Sequence, residues 1–349
     1  MLKLNKINKQ RRRIWIIFFL VKFIYLCFAV FIYSKLTPLG DTSLYLNPPR
    51  MDFNLINSTE LMFAIVGNLN KLFGSFITHL FFMLISFYGI YKSLSILSLS
   101  NKSLLFFLFI FSLPSFAIWT SIISKESIMV FSTGIFFFYI IRWYDYKINP
   151  LLNPLFYISI YIITLFKPQY LIPILFFIFI LKIYKFSHNI VLPVVLILYL
   201  VFIFINYKYI YIINDISLNF GKYFDSNAGS ARPDFWIDDF DFYTKMYYGI
   251  FLAFLGPSIF EVFNKIFYLP FFIESCFLLL IYMYTISQSK NKFNITYFVI
   301  TFSIIFLFLF FHYPFGILNI GAGIRYREGF LLIMILFVYY VYYKLGRKE

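Results

Sequence analysis

Three short polar stretches in an otherwise apolar chain hold residues able to do chemistry: GDTSLYL (Gly40 to Leu46), SIISKES (Ser121 to Ser127) and GAGIRYREGF (Gly321 to Phe330). Asp41 shares a turn with Pro38 and Gly40. A carboxylate there suits a turn or helix cap, and equally a general base or metal ligand acting on a hydroxyl. Lys125 and Glu126 suit the start of a helix, where an acid meets the positive dipole end. With Ser121, Ser124 and Ser127 beside them, they also suit a polar pocket in which Lys125 contacts phosphate. Arg325 and Arg327 flank Tyr326 after the run GILNIGAGI, whose glycines free the backbone to shape a pocket. A planar guanidinium holds two phosphate oxygens at once, so these arginines suit a diphosphate or a lipid headgroup.

Four more ionisable groups lie within apolar runs: Lys22, His79, Glu274 and His312. Such groups tend to mark function in membranes, and His312 is a candidate supporting residue. Each also has a plainer role. His79 suits a hydrogen bond between helices, Glu274 suits pairing with a lysine such as Lys265, and Lys22 suits snorkelling toward the nearer face.

The elements that position these residues follow from composition. Of 349 residues, 62% are hydrophobic and 13% charged, too little polar surface to cover a globule in water. The expected fold is all-α, a polytopic membrane bundle forming one integral membrane domain over 1–349. The net charge of +15 comes without a zinc-finger, RNP or helix-turn-helix pattern, so nucleic acid is not an expected partner; the lipid bilayer is. Cys27 and Cys276 lie inside apolar runs, which argues against a disulfide framework or thiolate metal site. Walker, HExxH, CxxC and dinucleotide-binding patterns are lacking, so the energy for any reaction must come with the substrate.

A spanning helix needs about 20 mostly apolar residues. That rule predicts about ten, near 14–33, 76–97, 103–119, 127–141, 153–166, 169–186, 189–206, 267–286, 294–312 and 329–345. The first is too long for a signal-peptide core and reads as a retained helix. Residues 246–265 either span or lie in the interface, and charge decides between these. With 246–265 interfacial, one face gathers Arg11, Arg12, Arg13, Lys92, Lys102, Arg142, Lys147, Lys182, Lys185, Lys290 and Lys292 among others, against only Asp145 and Glu349. Cytoplasmic flanks collect Lys and Arg, so both termini are expected in the cytoplasm. External loops are then expected at about 34–75, 207–266 and 313–328, and all three polar stretches fall on that outer face. The middle loop, with Trp236 among acids and aromatics, is long enough to be functional.

At this point the chain resembles bacterial polytopic proteins of surface-polysaccharide assembly, especially O-antigen polymerases and the related GT-C type glycosyltransferases. The resemblance rests on GDTSLYL after the first helix, LPSFAIWTSIISKESIMVF (Leu113 to Phe131), the Pro-containing stretch FLAFLGPSIFEVF, and GIRYREGFLLIMILF at the last helix. It implies a GT-C-like fold in the bacterial inner membrane and polymerisation of polyprenyl (undecaprenyl) diphosphate-linked oligosaccharide units at the outer face. Other polysaccharide-assembly membrane proteins are implied as partners. Asp41 or Glu126 would deprotonate the attacking sugar hydroxyl. Arg325, Arg327 and Lys125 would hold the diphosphate, and Trp236 and Tyr326 would offer faces to sugar rings. No cofactor is implied: Asp41 is followed by Thr42 rather than a second acid, with Asp52 the nearest other carboxylate, which counts against a divalent metal.

Two alternatives stay open. One is a GT-C type transferase using a polyprenyl phosphate monosaccharide as donor. The other is a lipid-linked sugar transporter or flippase, which needs no catalytic carboxylate but does need a polar path across the bilayer.

Overall fold

The computed structural model describes residues 9–50, 53–220, 229–233, 235–287 and 295–345. Asp52, Lys290, Lys292 and Glu349, invoked above, lie outside them. The described chain is helical with no strand; its one extended pairing is an isolated bridge between Ala231 and Asn319. It forms two compact units, residues 1–168 and 169–349.

The first unit contains α1 (Lys9–Leu36), α2 (Thr42–Leu46), α3 (Ser58–Phe73), α4 (Ser75–Ser95), α5 (Asn101–Ile110), α6 (Pro114–Trp119), α7 (Lys125–Tyr146) and α8 (Pro154–Phe166). Side-chain caps set several starts by taking N–H groups that a helix leaves unpaired, a need sharpened where no water can serve instead. Asn57 accepts from Thr59 N and Glu60 N, Ser100 from Ser103 N, and Ser124 from Ser127 N. Asn153 caps α8, with Pro154 in the first turn where proline is tolerated. The expected helix over 103–119 is instead two helices, because the chain turns at Phe111–Leu113 and restarts at Pro114. The expected loop over 34–75 is largely helical, as α2 and α3.

α4 and α7 form the most extensive helix pairing in this unit. Their backbones meet at two glycines: a Cβ on Gly89 would lie 2.5 Å from Phe131 Cα, and one on Gly134 would run into the Gly89 carbonyl. α1 joins them through aromatic contacts, with Trp15 edge-on to Phe87 at 5.8 Å.

The second unit contains α9 (Leu171–Phe186), α10 (His188–Lys208), α11 (Ile210–Phe220), α12 (Asp241–Thr244), α13 (Met246–Leu255), α14 (Ile259–Asn264), α15 (Leu269–Ser287), α16 (Ile295–Gly316) and α17 (Ile320–Tyr339). Two expectations change here. α17 starts at Ile320 rather than 329, capped by Asn319, whose Oδ1 accepts from Ala322 N at 2.9 Å. The expected loop over 313–328 therefore shrinks to Ile317–Asn319, and Arg325 and Arg327 lie on the helix. Gly323 of GAGIR is a close-packing position rather than a flexible one: a Cβ there would lie 2.6 Å from Gly316 O.

The segment 246–265 breaks at Gly256, whose φ of 88° suits glycine, and Ser258 opens α14 with a capping box to Glu261. α13 has ten residues, about 15 Å of helix, or half the hydrocarbon thickness of about 30 Å. It does not cross as one helix. Among the described residues, six helices are long and apolar enough to do so: α1, α4, α7, α9 with the turn before it, α10 and α16. Four apolar helices are shorter: α5, α8, α13 and the stretch Ile266–Leu280. The chain is a helical membrane protein.

Candidate functional site

In the first unit the candidate residues come together around one non-helical tract, Thr120 to Ser124, between α6 and α7. The N–H groups of Thr120 and Ser121 still bond back to α6, at Phe116 O and Ile118 O, but the Thr120 carbonyl and both polar groups of Ile123 take side chains from three helices. Lys22 donates to Thr120 O at 3.1 Å and to Thr120 Oγ1 at 2.6 Å. Ser86 donates to the same carbonyl. The peptides on either side of Ile123 are bonded too: His79 Nδ1 accepts the Ile123 N–H at 3.1 Å, and Thr42 Oγ1 donates to the Ile123 carbonyl at 2.8 Å.

Lys22 therefore does not snorkel. It is fully buried, 13 residues from the start of α1 and 14 from its end, where an aliphatic stem cannot reach either face. His79 is buried and makes an interhelical bond of the kind expected.

The Thr42 bond ties the Asp41 turn to the tract that leads into Lys125 and Glu126. Asp41 is partly buried and accepts from Tyr45 OH at 3.4 Å. Lys125 Nζ donates to Ser58 Oγ at 3.0 Å and Thr59 Oγ1 at 2.9 Å on α3. Glu126 is 3% exposed and, among the described residues, makes no hydrogen bond or ion pair. This arrangement can accept a proton, through Asp41 or Glu126, beside a lysine able to meet an anion.

The second unit separates two arginines that the sequence makes look alike. Arg325 is partly buried, with its guanidinium 4.9 Å from the Tyr326 ring centroid and Nη2 3.2 Å from Tyr326 OH. Arg327 is turned inward and fully buried. It donates to Glu328 Oε1 at 2.8 Å, Glu274 Oε1 at 3.3 Å, Phe254 O at 3.0 Å and Ser275 Oγ at 3.2 Å. It presents no open fork to a diphosphate. Glu274 pairs with this arginine rather than with Lys265, which donates to Gly229 O.

His312 is fully buried with both ring nitrogens engaged: Nε2 lies 3.1 Å from Ala253 O and Nδ1 3.0 Å from Tyr170 OH. A carbonyl only accepts, so Nε2 carries the proton. Trp236 is also inside, its indole N–H donating to Tyr313 OH at 3.1 Å and its ring edge-on to Tyr313. It offers no open face to a sugar, and the ring of Tyr326 carries the Arg325 guanidinium over one face.

Sequence reasoning missed Arg232, which ties the described part of the 207–266 loop to the unit. It donates to both carboxylate oxygens of Glu261 (2.6 and 2.8 Å), to Gly256 O at 2.8 Å and to Ile317 O at 3.2 Å. Burial alone would raise the Glu261 carboxyl, but Arg232 and the Ser258 N–H outweigh it and hold it below its ordinary value. Asp241 behaves alike: burial opposes ionisation, while Lys245 and the N–H groups of Asp238 and Ile237 hold the carboxyl low. Thr42, Ser58 and Thr59 were missed as well. Only Asn319 carried a usable signal, an asparagine just before a helical run.

Among the described residues no cluster of His, Cys, Asp or Glu is arranged to hold a metal ion. No family model, curated protein or solved structure matches the chain.

Proposed function

We propose that this chain is a membrane glycosyltransferase that joins polyprenyl diphosphate-linked oligosaccharides at the outer face of a bacterial inner membrane, with both termini in the cytoplasm. The observation that carries the reading is the meeting, through the Thr42–Ile123 bond, of the Asp41 turn with the turn holding Lys125 and the buried, unpartnered Glu126. In this reaction an acceptor hydroxyl gives its proton to Asp41 or Glu126, and its oxygen attacks the anomeric carbon of the donor. The bond from that carbon to the phosphate oxygen breaks, and the lipid diphosphate departs with its electron pair. Fixed positive charge aimed at the departing phosphate is the largest help a protein gives such a step, and Lys125 is the group assigned to it. The carboxylate contributes about 100- to 10,000-fold by general base catalysis. Of the two arginines, only Arg325 is assigned to phosphate recognition, because Arg327 is closed off by its carboxylates.

The test is the surface polysaccharide of cells carrying variants. Asp41→Asn or Glu126→Gln is expected to leave a single repeat unit on its lipid core instead of a ladder of lengths. Full-length chains lacking one sugar would favour a monosaccharide transferase instead.

One observation favours a second reading. The buried group of Arg327, Glu274 and Glu328 is the kind of intramembrane ionisable cluster that lines transport paths. If both carboxamide variants keep normal chain lengths while Arg325→Ala stops lipid-sugar movement, the chain is a transporter of lipid-linked sugars.

A further inference from the structure

The Ile123 residue is held from both sides by side chains distant in sequence. Its N–H is taken by His79 of α4, and its carbonyl by Thr42, the residue after Asp41. A backbone N–H only donates, so His79 receives it on the Nδ1 lone pair, which leaves the proton of a neutral ring on Nε2. A continuous chain of bonds thus runs from α4 through one residue's backbone to the turn bearing Asp41. The same residue lies two positions before Lys125 and three before Glu126.

We propose that His79 is a positioning residue of this site: by fixing Ile123, it sets where the Asp41 turn stands relative to Lys125 and Glu126. The proposal rests on the reading above that these three residues do the chemistry. It goes beyond it in assigning the alignment to a histidine inside a span that touches no substrate.

The rest of the tract makes the claim specific. Thr120 is pinned independently by Lys22 and Ser86, and Ser124 caps α7 through Ser127 N. Losing the His79 bond leaves both ends of the tract anchored and frees its middle, so the fold survives while the Asp41 turn drifts.

The chemistry of the bond supplies the test. Asparagine places its Oδ1 near the position of Nδ1 and can still accept the Ile123 N–H; glutamine places its oxygen near Nε2 and cannot. Spin labels on cysteines at Ser43 and Ser95, both exposed, report how far the Asp41 turn sits from the end of the helix that bears His79, and need no substrate. Native Cys27 and Cys276 are replaced by serine. The His79→Asn protein is expected to keep the wild-type distance distribution, and His79→Gln to broaden it. Thr42→Val should broaden it from the other side, with Thr42→Ser restoring it.

Sugar transfer should follow the same order, falling about 100-fold in the broadened variants, the cost of misplacing a reacting group by about 1 Å. An unchanged distribution in His79→Gln, or asparagine and glutamine variants that behave alike, overturns the proposal. A wild type that transfers no sugar overturns the glycosyltransferase reading instead, while the distance measurement still decides the positioning claim.

Discussion

Arg325 and Arg327 stand two positions apart and do different work. Arg325 is half-buried over Tyr326, whereas Arg327 is sealed among Glu274, Glu328, Ser275 and the Phe254 carbonyl. Replacing Arg325 by lysine should reduce polymer length nearly as much as replacing it by alanine, because a point charge does not reproduce a planar fork; a fully active lysine variant makes Arg325 a headgroup anchor. Arg327→Ala should act on stability rather than chemistry. Leaving buried carboxylates without their cation costs about 3–5 kcal/mol, read as loss of folded protein after detergent extraction. Arg327→Met combined with Glu274→Met should recover part of that loss.

These ionisable residues could be picked out from the sequence, because charges in apolar runs are conspicuous. Their partners could not. Lys22 and Thr120 are 98 positions apart, and Arg327 and Glu274 are 53 apart, and no local pattern encodes such pairings.

At the scale of elements, capping and proline placement decided the outcome. Pro114 falls inside the expected helix over 103–119, and whether a proline there kinks a helix or divides it depends on how Phe111–Leu113 pack. The start of α17 was misplaced because Gly321 and Gly323 look like loop residues, and the close packing of Gly323 against the α16 end becomes apparent only in three dimensions.

The strap around Arg232 and the turn at Asp241 make a pH prediction. Both carboxyl groups are held below their ordinary values in the folded protein. Their contribution is therefore complete above the unfolded values of about 4 and is lost as pH falls through the lower folded values. With Trp15, Trp119 and Trp143 changed to phenylalanine, the fluorescence of Trp236 should stay constant from about pH 7 to about pH 5 and change only below about pH 4. A change near neutrality contradicts the assignment.

For the molecule as a whole, composition alone was enough to read a helical membrane protein. The number of spans was harder to read, because Phe, Ile and Tyr fill loops and short helices as densely as the spans themselves, and length alone separates α13 from α10. Sidedness rests on the bias of Lys and Arg, and labelling tests it directly. In a cysteine-free background, a membrane-impermeant thiol reagent applied to intact cells should modify a cysteine at Ser43 and spare one at Ser95, since α4 lies between them. The reverse pattern inverts the assignment and moves the Asp41 turn into the cytoplasm.

The contact between Gly89 and Gly134 carries a consequence for ancestry. Since neither position has room for a methyl group, the two cannot drift independently. Any descendant that enlarges one must shift a whole helix or compensate at the other. Paired smallness at 89 and 134, together with a lysine at 22 and a threonine at 42, is a signature that distant kin would retain after overall similarity has faded.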